Sequence, residues 1–460
     1  MIVLKFGGAS LADAKNFENV KEYIKNIEDK KPVVVVSAMK GITDMLIDSI
    51  DSAVKKREGE FKRNLEVIEV KHREVIDLLV PEDKKALEYL KKSIDELNQI
   101  YISLSVIMEC SPKTYDRLVS YGEKLSSFLL SCFLQKNGIE SEQITGEELI
   151  LTDSNHNYAY PDLNKTEKKT RKRLLPVLDS GKVPVVTGFI GADEKGNITT
   201  LGRGGSDFTA SILAYCLDAD EVWFLKGVSG IMTADPEVVV SANTIKEISY
   251  DEVAELSYFG AKVFHPIAIH PLRKKEIPSF IKNVYEFDDP GTRVIKENRK
   301  NGTTVKAITY IKNTSIVSVE GKGMLTIPQI AGRVFSCLGD LNILMISQSS
   351  SEQNICFVVR KDDAVKAIRR LKTEFELELI KNQINSINSE NSLAVLSVVG
   401  SGMQKTPGVS GKVFKALGDE DINIKLIVQG SSELNISFVV DSSFLKKSVN
   451  AIHERFALGV

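Results

Sequence analysis

The tail of the chain is written twice, and this repeat limits the architecture more than any other feature. Gly323-Met324, Pro328, Gly332-Arg-Val-Phe335, Leu338-Gly-Asp340, Asn342-Ile343, Gln348, Ser350-Ser-Glu352, Asn354-Ile355 and Phe357-Val-Val359 return as Gly402-Met403, Pro407, Gly411-Lys-Val-Phe414, Leu417-Gly-Asp419, Asn423-Ile424, Gln429, Ser431-Ser-Glu433, Asn435-Ile436 and Phe438-Val-Val440. Each copy reads strand, loop, amphipathic helix, strand, turn, strand and a second helix. Two such units imply edge strands or helices paired into one continuous sheet. Copy one is two residues shorter before Asn342 than copy two is before Asn423, so their pockets need not be equivalent. The polar stretch 381–392, repeated in Asn and Ser, reads as the connection between them.

Up to about residue 290 a different pattern holds. Strand-like runs alternate with helical ones, as in a mainly parallel sheet covered on both faces. Ile2-Val-Leu-Lys-Phe6, Pro32-Val-Val-Val-Val36, Pro184-Val-Val-Thr187 and Glu221-Val-Trp-Phe-Leu225 are the expected central strands. Ligands of open α/β sheets bind beyond the carboxyl ends of the strands, which is where Gly7-Gly8, Ser37, Gly188 and Lys226 fall. Residues 52–110, rich in Lys and Glu with apolar residues at helical spacing, read as a helical excursion with a solvated charged face.

Two of the strand ends carry chemistry. Residues 199–207, Thr-Thr-Leu-Gly-Arg-Gly-Gly-Ser-Asp, run into the apolar stretch 208–217, so a turn with three glycines opens a helix. Glycines let backbone N–H groups approach a ligand, and the helix start adds unpaired donors and partial positive charge. Arg203 adds a planar fork for a carboxylate or phosphate, and Asp207 can position a cation or a lysine. The first strand delivers Lys5 followed by Gly7-Gly8. There is no Gly-x-x-x-x-Gly-Lys-Ser/Thr and no Gly-x-Gly-x-x-Gly in the chain.

Composition excludes other classes. With 60 basic and 62 acidic side chains, the net charge of −2 gives no global attraction to nucleic acid. Five cysteines without Cys-x-x-Cys spacing imply buried free thiols in a reducing cytoplasm, rather than a disulfide or zinc framework. No uncharged apolar run approaches membrane-spanning length. The five histidines form no ligand pair with a neighbouring Cys or carboxylate, so no protein-built metal site is expected, and the spacing of His72 places it at a packing boundary.

These segments together resemble the aspartokinases of the amino acid kinase family. The matching pieces are Lys5-Phe-Gly-Gly-Ala-Ser10, Val36-Ser-Ala-Met-Lys-Gly-Ile-Thr43, Leu118-Val-Ser-Tyr-Gly-Glu123, Gly188-Phe189, the 199–207 turn, Val228-Ser-Gly-Ile-Met-Thr-Ala-Asp-Pro236 and Phe259-Gly-Ala-Lys262-Val-Phe-His-Pro266. The resemblance implies a catalytic domain over 1–295 that phosphorylates the side-chain carboxylate of L-aspartate with ATP and nucleotide-bound Mg2+. That reaction opens lysine, threonine and methionine synthesis. Lys5 would stabilise the moving γ-phosphoryl, with Asp207 orienting it. Arg203 would grip the α-carboxylate, Glu123 would pair with the ammonium, and Thr43, Phe189 and Ser206 would complete the pocket. Lys5, Phe6, Gly7, Gly8, Lys226, Gly227, Met232, Asp235 and Lys262 would meet ATP. Three positions depart from the usual family pattern: Gly227 where Asp is common, Met232 where an aromatic is common, and Glu237 where Arg is common. The expected consequence is weaker nucleotide binding rather than loss of activity, since Lys5 and Lys262 remain.

Each copy of the repeat resembles the ACT fold of small amino-acid-sensing domains, here over 303–383 and 390–460. In the family such units exchange a strand, so the one near 305–311 is a candidate to complete the second unit. The resemblance implies a regulatory amino acid, lysine ahead of threonine, near Met324, Ile327, Ile343, Gln348 and Glu352, and self-association as dimer or tetramer. With its last residue at Val460, the chain is expected to lack the homoserine dehydrogenase fused to some members. A glutamate or acetylglutamate kinase, and a non-catalytic sensor with a decayed kinase fold, remain open at this stage.

Overall fold

The computed structural model describes residues 1–261, 265–296, 304–324, 327–348 and 353–459. The chain divides into two compact units, one of Met1–Ile231, Lys246–Tyr250 and Val263–Lys296, the other of Met232–Ile245, Asp251–Lys262 and Glu297–Val460.

The strands of the first unit are β1 Ile2–Phe6, β2 Pro32–Val36, β3 Ser141–Ile144, β4 Val183–Thr187, β5 Ile190–Ala192, β6 Ile198–Thr200, β7 Glu221–Lys226, β8 Glu247–Ser249, β9 Ser279–Asn283 and β10 Thr292–Ile295. Eight of them form one sheet in the order β3-β4-β2-β1-β7-β9-β10-β8, and only the β9–β10 pairing is antiparallel. β1, β2 and β4 are buried at every position, which is why their sequences are continuous Val/Ile/Leu runs rather than alternating ones. The expected central strands are all present. The four-residue edge strand β3 and the short strands β8 to β10 carry too little apolar sequence to announce themselves.

The charged excursion is a helical pair, Glu58–Leu79 and Lys84–Ile107, packed beside helix Ile42–Val54. Phe61, Leu65, Ile68, Leu90, Leu97 and Tyr101 turn inward onto the core of the first unit. Asp83 caps the second of the two long helices by accepting from the amides of Lys85 and Ala86. His72 is not at a boundary. It is 1 % exposed, its Nδ1 lies 2.7 Å from the Ile68 carbonyl, and Nε2 has no hydrogen-bond partner among the described residues.

The second unit is built on a six-stranded antiparallel sheet. Its strands are β11 Ala307–Glu320, β12 Ile343–Gln348, β13 Asn354–Arg360, β14 Ser386–Val399, β15 Leu426–Val428 and β16 Asn435–Asp441, in the order β12-β13-β11-β14-β16-β15. The two 14-residue strands run through both repeats. Residues 314–320 of β11 pair with β13, while its first half, Ala307 to Ile311, pairs with the half of β14 that carries β16. A register break between Ile311 and Thr314 separates the halves. Helices Ile330–Leu338 and Lys361–Glu374 cover the first repeat, Val409–Gly418 and Leu445–Arg455 the second. The opposite faces meet in a third cluster of Ile316, Leu344, Val358, Leu393, Val395 and Val439.

Residues 232–245 and 251–262 precede 295 in sequence yet belong to this unit. The Ile308 amide donates to the Thr233 carbonyl at 2.8 Å, His453 Nε2 lies 3.0 Å from Thr233 Oγ1, and the Ser401 amide donates to Glu252 at 2.6 Å.

Burial lowers the imidazole of His72 from its ordinary 6.5 to about 4. The unfolded chain therefore binds a proton that the folded chain excludes. The stabilisation is complete above pH 6.5 and is lost as pH falls from there through 4, an effect on the order of 3 kcal/mol. The thermal midpoint of the wild type should drop more steeply between pH 7 and 4.5 than that of His72→Leu, measured by calorimetry.

Candidate active site

The parallel strands β1, β2, β4 and β7 end on one side of their sheet, and a cleft of about 790 Å³ opens there. Lys5, Gly8, Thr43, Glu123, Phe189, Arg203, Ser206 and Asp207 all line it. The residues from five separate motifs thus meet in one place. Phe6 and Gly7 are not among the lining residues; Phe6 is fully buried in the core.

The turn at 202–204 sets the direction of helix Gly205–Leu217. Its cap residue Gly204 has φ +72, and a Cβ there would lie 2.2 Å from the Cβ of His265, so glycine is required on both conformational and steric grounds. Gly204, Gly205 and Ser206 line the cleft, which presents the positive end of the helix to an anion.

Lys5 sits in the middle of the sheet, paired in register with Val35 and Phe224. Its Nζ is 2.6 Å from Asp207 Oδ1, and both side chains are 9 % exposed. Lys226 Nζ lies 3.4 Å from Asp207 Oδ2. Burial alone would push the Asp207 carboxyl up, but the ammonium groups of Lys226 and Lys5 outweigh it and hold the carboxyl below its ordinary range. Burial lowers Lys226, against the pull of Asp207 and with the repulsion of Lys5. The result is a carboxylate shared by two ammonium groups at the edge of the cleft.

Glu123 is in the opposite condition. It is 3 % exposed, Oε1 accepts from the Ala38 amide at 3.2 Å, and Oε2 is buried without a hydrogen-bond partner among the described residues. Burial raises its carboxyl to about 8, although the Ala38 amide and Lys5 act in the opposite direction. Such a group accepts a cation readily, because a cation restores what desolvation removed. Arg203 is exposed and makes no ion pair among the described residues. Burial, followed by the nearby Arg203 charge, lowers the pKa of His265.

The cleft is also lined by Thr200 of the 199–207 turn and by Tyr115, Asn157 and Tyr158, the last three not expected from sequence. Asn157 ends, and Tyr158 follows, a polar run, Asp153-Ser-Asn-His-Asn157, indistinguishable from an ordinary loop until folded, and Tyr115 carries no sequence signal. The expected nucleotide residues are not gathered within one unit. Lys226 ends β7 and Gly227 follows it in the first, whereas Met232 and Asp235 belong to the second. There Asp235 accepts from Tyr310 Oη at 2.5 Å and from the Glu237 amide at 2.9 Å. Of the expected effector residues, Met324 and Ile327 are buried in the core of the first repeat. Ile343 and Gln348 begin and end edge strand β12. Lys262 and Glu352 lie outside the described residues. Among the described residues no three His, Cys, Asp or Glu side chains converge as a metal cage.

Comparison with known proteins places these observations. The model of the amino acid kinase family matches residues 1–283, and that of the ACT domain matches 317–375 and 396–456. The bifunctional aspartokinase/homoserine dehydrogenase 2, chloroplastic, of Arabidopsis thaliana is 34 % identical over 99 % of this chain and 50 % of its own length. Aspartokinase 1, chloroplastic, of the same plant is 32 % identical over 99 % of this chain and 80 % of its own. The chain spans about half the length of the bifunctional relatives it matches. The structure of E. coli aspartokinase III in complex with aspartate and ADP superposes with a TM-score of 0.82 at 28 % identity, covering 99 % of each chain. The same enzyme in complex with lysine and aspartate gives 0.80 at 28 % identity, again covering 99 % of each chain.

Removing one partner of a buried charge cluster leaves the others uncompensated. Asp207→Leu should lower the unfolding free energy by roughly 3 kcal/mol, and the double variant Lys5→Met/Asp207→Leu should lose less than Asp207→Leu alone. Guanidinium unfolding of the three proteins measures both.

Proposed function

The chain belongs to the amino acid kinase family, with aspartokinases as its full-length relatives, and on that premise we propose that it is an ATP-dependent aspartate kinase. The observation that carries the reading is a single cleft holding a buried carboxyl with an unmet oxygen, Glu123, an exposed guanidinium, Arg203, and the ammonium of Lys5. An amino acid with an acidic side chain presents the complementary set. Its ammonium pairs with Glu123 and its α-carboxylate with Arg203, leaving the side-chain carboxylate free to react. A carboxylate oxygen attacks the γ-phosphorus of ATP, the bond to the β,γ-bridging oxygen breaks, and 4-phospho-L-aspartate and ADP result.

Phosphoryl transfer asks the protein for positioning and positive charge more than for covalent chemistry. Lys5 supplies charge toward the moving group, and Asp207 holds Lys5 in place while sharing it with Lys226. Magnesium, carried in on the nucleotide, would add further charge neutralisation at the phosphates. Within the first unit Lys226 and Gly227 are assigned to the nucleotide, with Gly7 and Gly8 closing on its phosphates. The paired repeats are assigned to a regulatory amino acid, lysine ahead of threonine, and to self-association. Met324 and Ile327 of the first repeat are buried, which supports backbone groups and the β12 edge as the ones that would meet this ligand. No described helix is long and apolar enough to cross a membrane. The five cysteines are free, only Cys216 fully buried and the other four half-buried rather than buried as expected, and free thiols suit the reducing, cytoplasmic setting we assign to the chain.

Coupled ADP release decides among substrates. Turnover is expected with aspartate and inhibition with added lysine; turnover only with glutamate, or none, overturns the assignment. Lys5→Ala should lower kcat severely with little change in the KM for aspartate. Arg203→Ala should raise that KM roughly ten- to a hundredfold, the equivalent of a charge-assisted hydrogen bond. A change confined to the KM for ATP would move Arg203 to the phosphates.

The pH dependence follows from Glu123. With its carboxyl raised to about 8 in the free chain, aspartate must displace a proton to bind at lower pH, so the KM for aspartate should fall as pH rises from 6.5 toward 8. Glu123→Gln should raise the KM and flatten this dependence.

A further inference from the structure

Asp116 has no part in the chemistry above, yet it is the hub of the cleft wall from which Arg203 departs. It lies on helix Pro112–Val119, and its side chain is fully buried. Oδ1 accepts from Thr200 Oγ1 at 2.6 Å, both oxygens lie 3.1 Å from the Asn157 amide, and Oδ2 lies 2.7 Å from His156 Nδ1. Burying a carboxylate this deeply is costly unless its oxygens are met by donors. The helix, the 156–158 segment and the end of β6 are therefore tied to one another through this one group.

The tie reaches the substrate side of the cleft. Asn157, Tyr158 and Thr200 line it. Tyr158 and the Asn157 carbonyl lie flat against Gly202, where an added Cβ would stand 2.7 Å from Tyr158 Cδ1 and 3.1 Å from Asn157 O. Gly202 has φ +72 and immediately precedes Arg203. The backbone that launches the guanidinium thus rests on a segment that Asp116 holds from behind, and Thr200 fixes the same strand end two residues earlier.

We propose that Asp116 is the positioning residue for Arg203, setting the aim of the guanidinium at the α-carboxylate of the amino-acid substrate without touching that substrate. The proposal rests on the assignment of Arg203 given above. A misaligned guanidinium loses ground-state and transition-state binding together, so the effect belongs in the KM for aspartate rather than in kcat.

The test is steady-state kinetics of full-length Asp116→Asn with aspartate and ATP, together with hydrogen exchange of residues 153–160 and 199–204. Asparagine preserves the volume but turns one acceptor into a donor facing other donors. The KM for aspartate should rise roughly ten- to a hundredfold, with kcat and the KM for ATP nearly unchanged and with faster exchange in both segments. An unchanged KM for aspartate in the folded variant overturns the proposal, as does a loss spread equally over kcat and both KM values. If Asp116→Asn does not fold, Thr200→Val, which removes one of the donors, is judged by the same split. If the wild type does not turn over aspartate, the reaction assignment falls. The positioning role, which rests on that assignment, then falls with it, whereas unchanged exchange at 199–204 with aspartate turnover intact overturns the positioning role alone.

Discussion

A lysine in the middle of a fully buried parallel strand is the constraint on which the first unit depends. Lys5 has Val35 on one side and Phe224 on the other, and its ammonium needs an anion that does not come from the sheet itself. The first turn of helix Gly205–Leu217 supplies Asp207 at 2.6 Å. That requirement fixes where the helix starts, which forces the glycine turn before it, and the turn in turn sends Arg203 toward the cleft. Lys226 on β7 joins the same carboxylate, so two strand ends and one helix start are held by a single charge cluster.

A buried cluster of this kind contributes little net stability, because desolvating three charges offsets most of their attraction. What it contributes is location. Two cationic groups and a helix N-terminus converge at the carboxyl edge of the sheet, where an anionic transition state gains most from fixed charge. Glu123 complements this arrangement. Its orphan oxygen is a polar group held out of water with no hydrogen-bond partner among the described residues, and the protein tolerates that cost at the position where a ligand cation would remove it.

The second unit solves a different problem. Two repeats of one design could each close on themselves or exchange strands. The long strands β11 and β14 exchange them, with a register break at Ile311–Thr314 where the chain passes from one repeat to the other. Exchange makes the two repeats one sheet, so neither can rearrange without altering strands of the other. It also draws in residues 232–245, through Thr233, and Glu252, which sequence order assigns to the kinase portion.

The residues alone determined the parallel core, the helical excursion and the doubled tail, because these follow from local patterns of buried apolar runs, helical spacing and repeated segments, whereas the meeting of Lys5, Glu123, Phe189, Arg203 and Asp207 was implied by the family resemblance and not by any local pattern. They did not disclose that His72 is in the core, since helical spacing cannot tell an edge from an interior when the neighbouring helix is unknown. They did not disclose Asp116 either, whose helix looks ordinary and whose partners lie forty and eighty-four positions away. The division of residues 232–262 between two units was equally hidden. Each of these depends on which distant groups become neighbours, and burial, pKa and hydrogen-bond satisfaction take their values only from that neighbourhood.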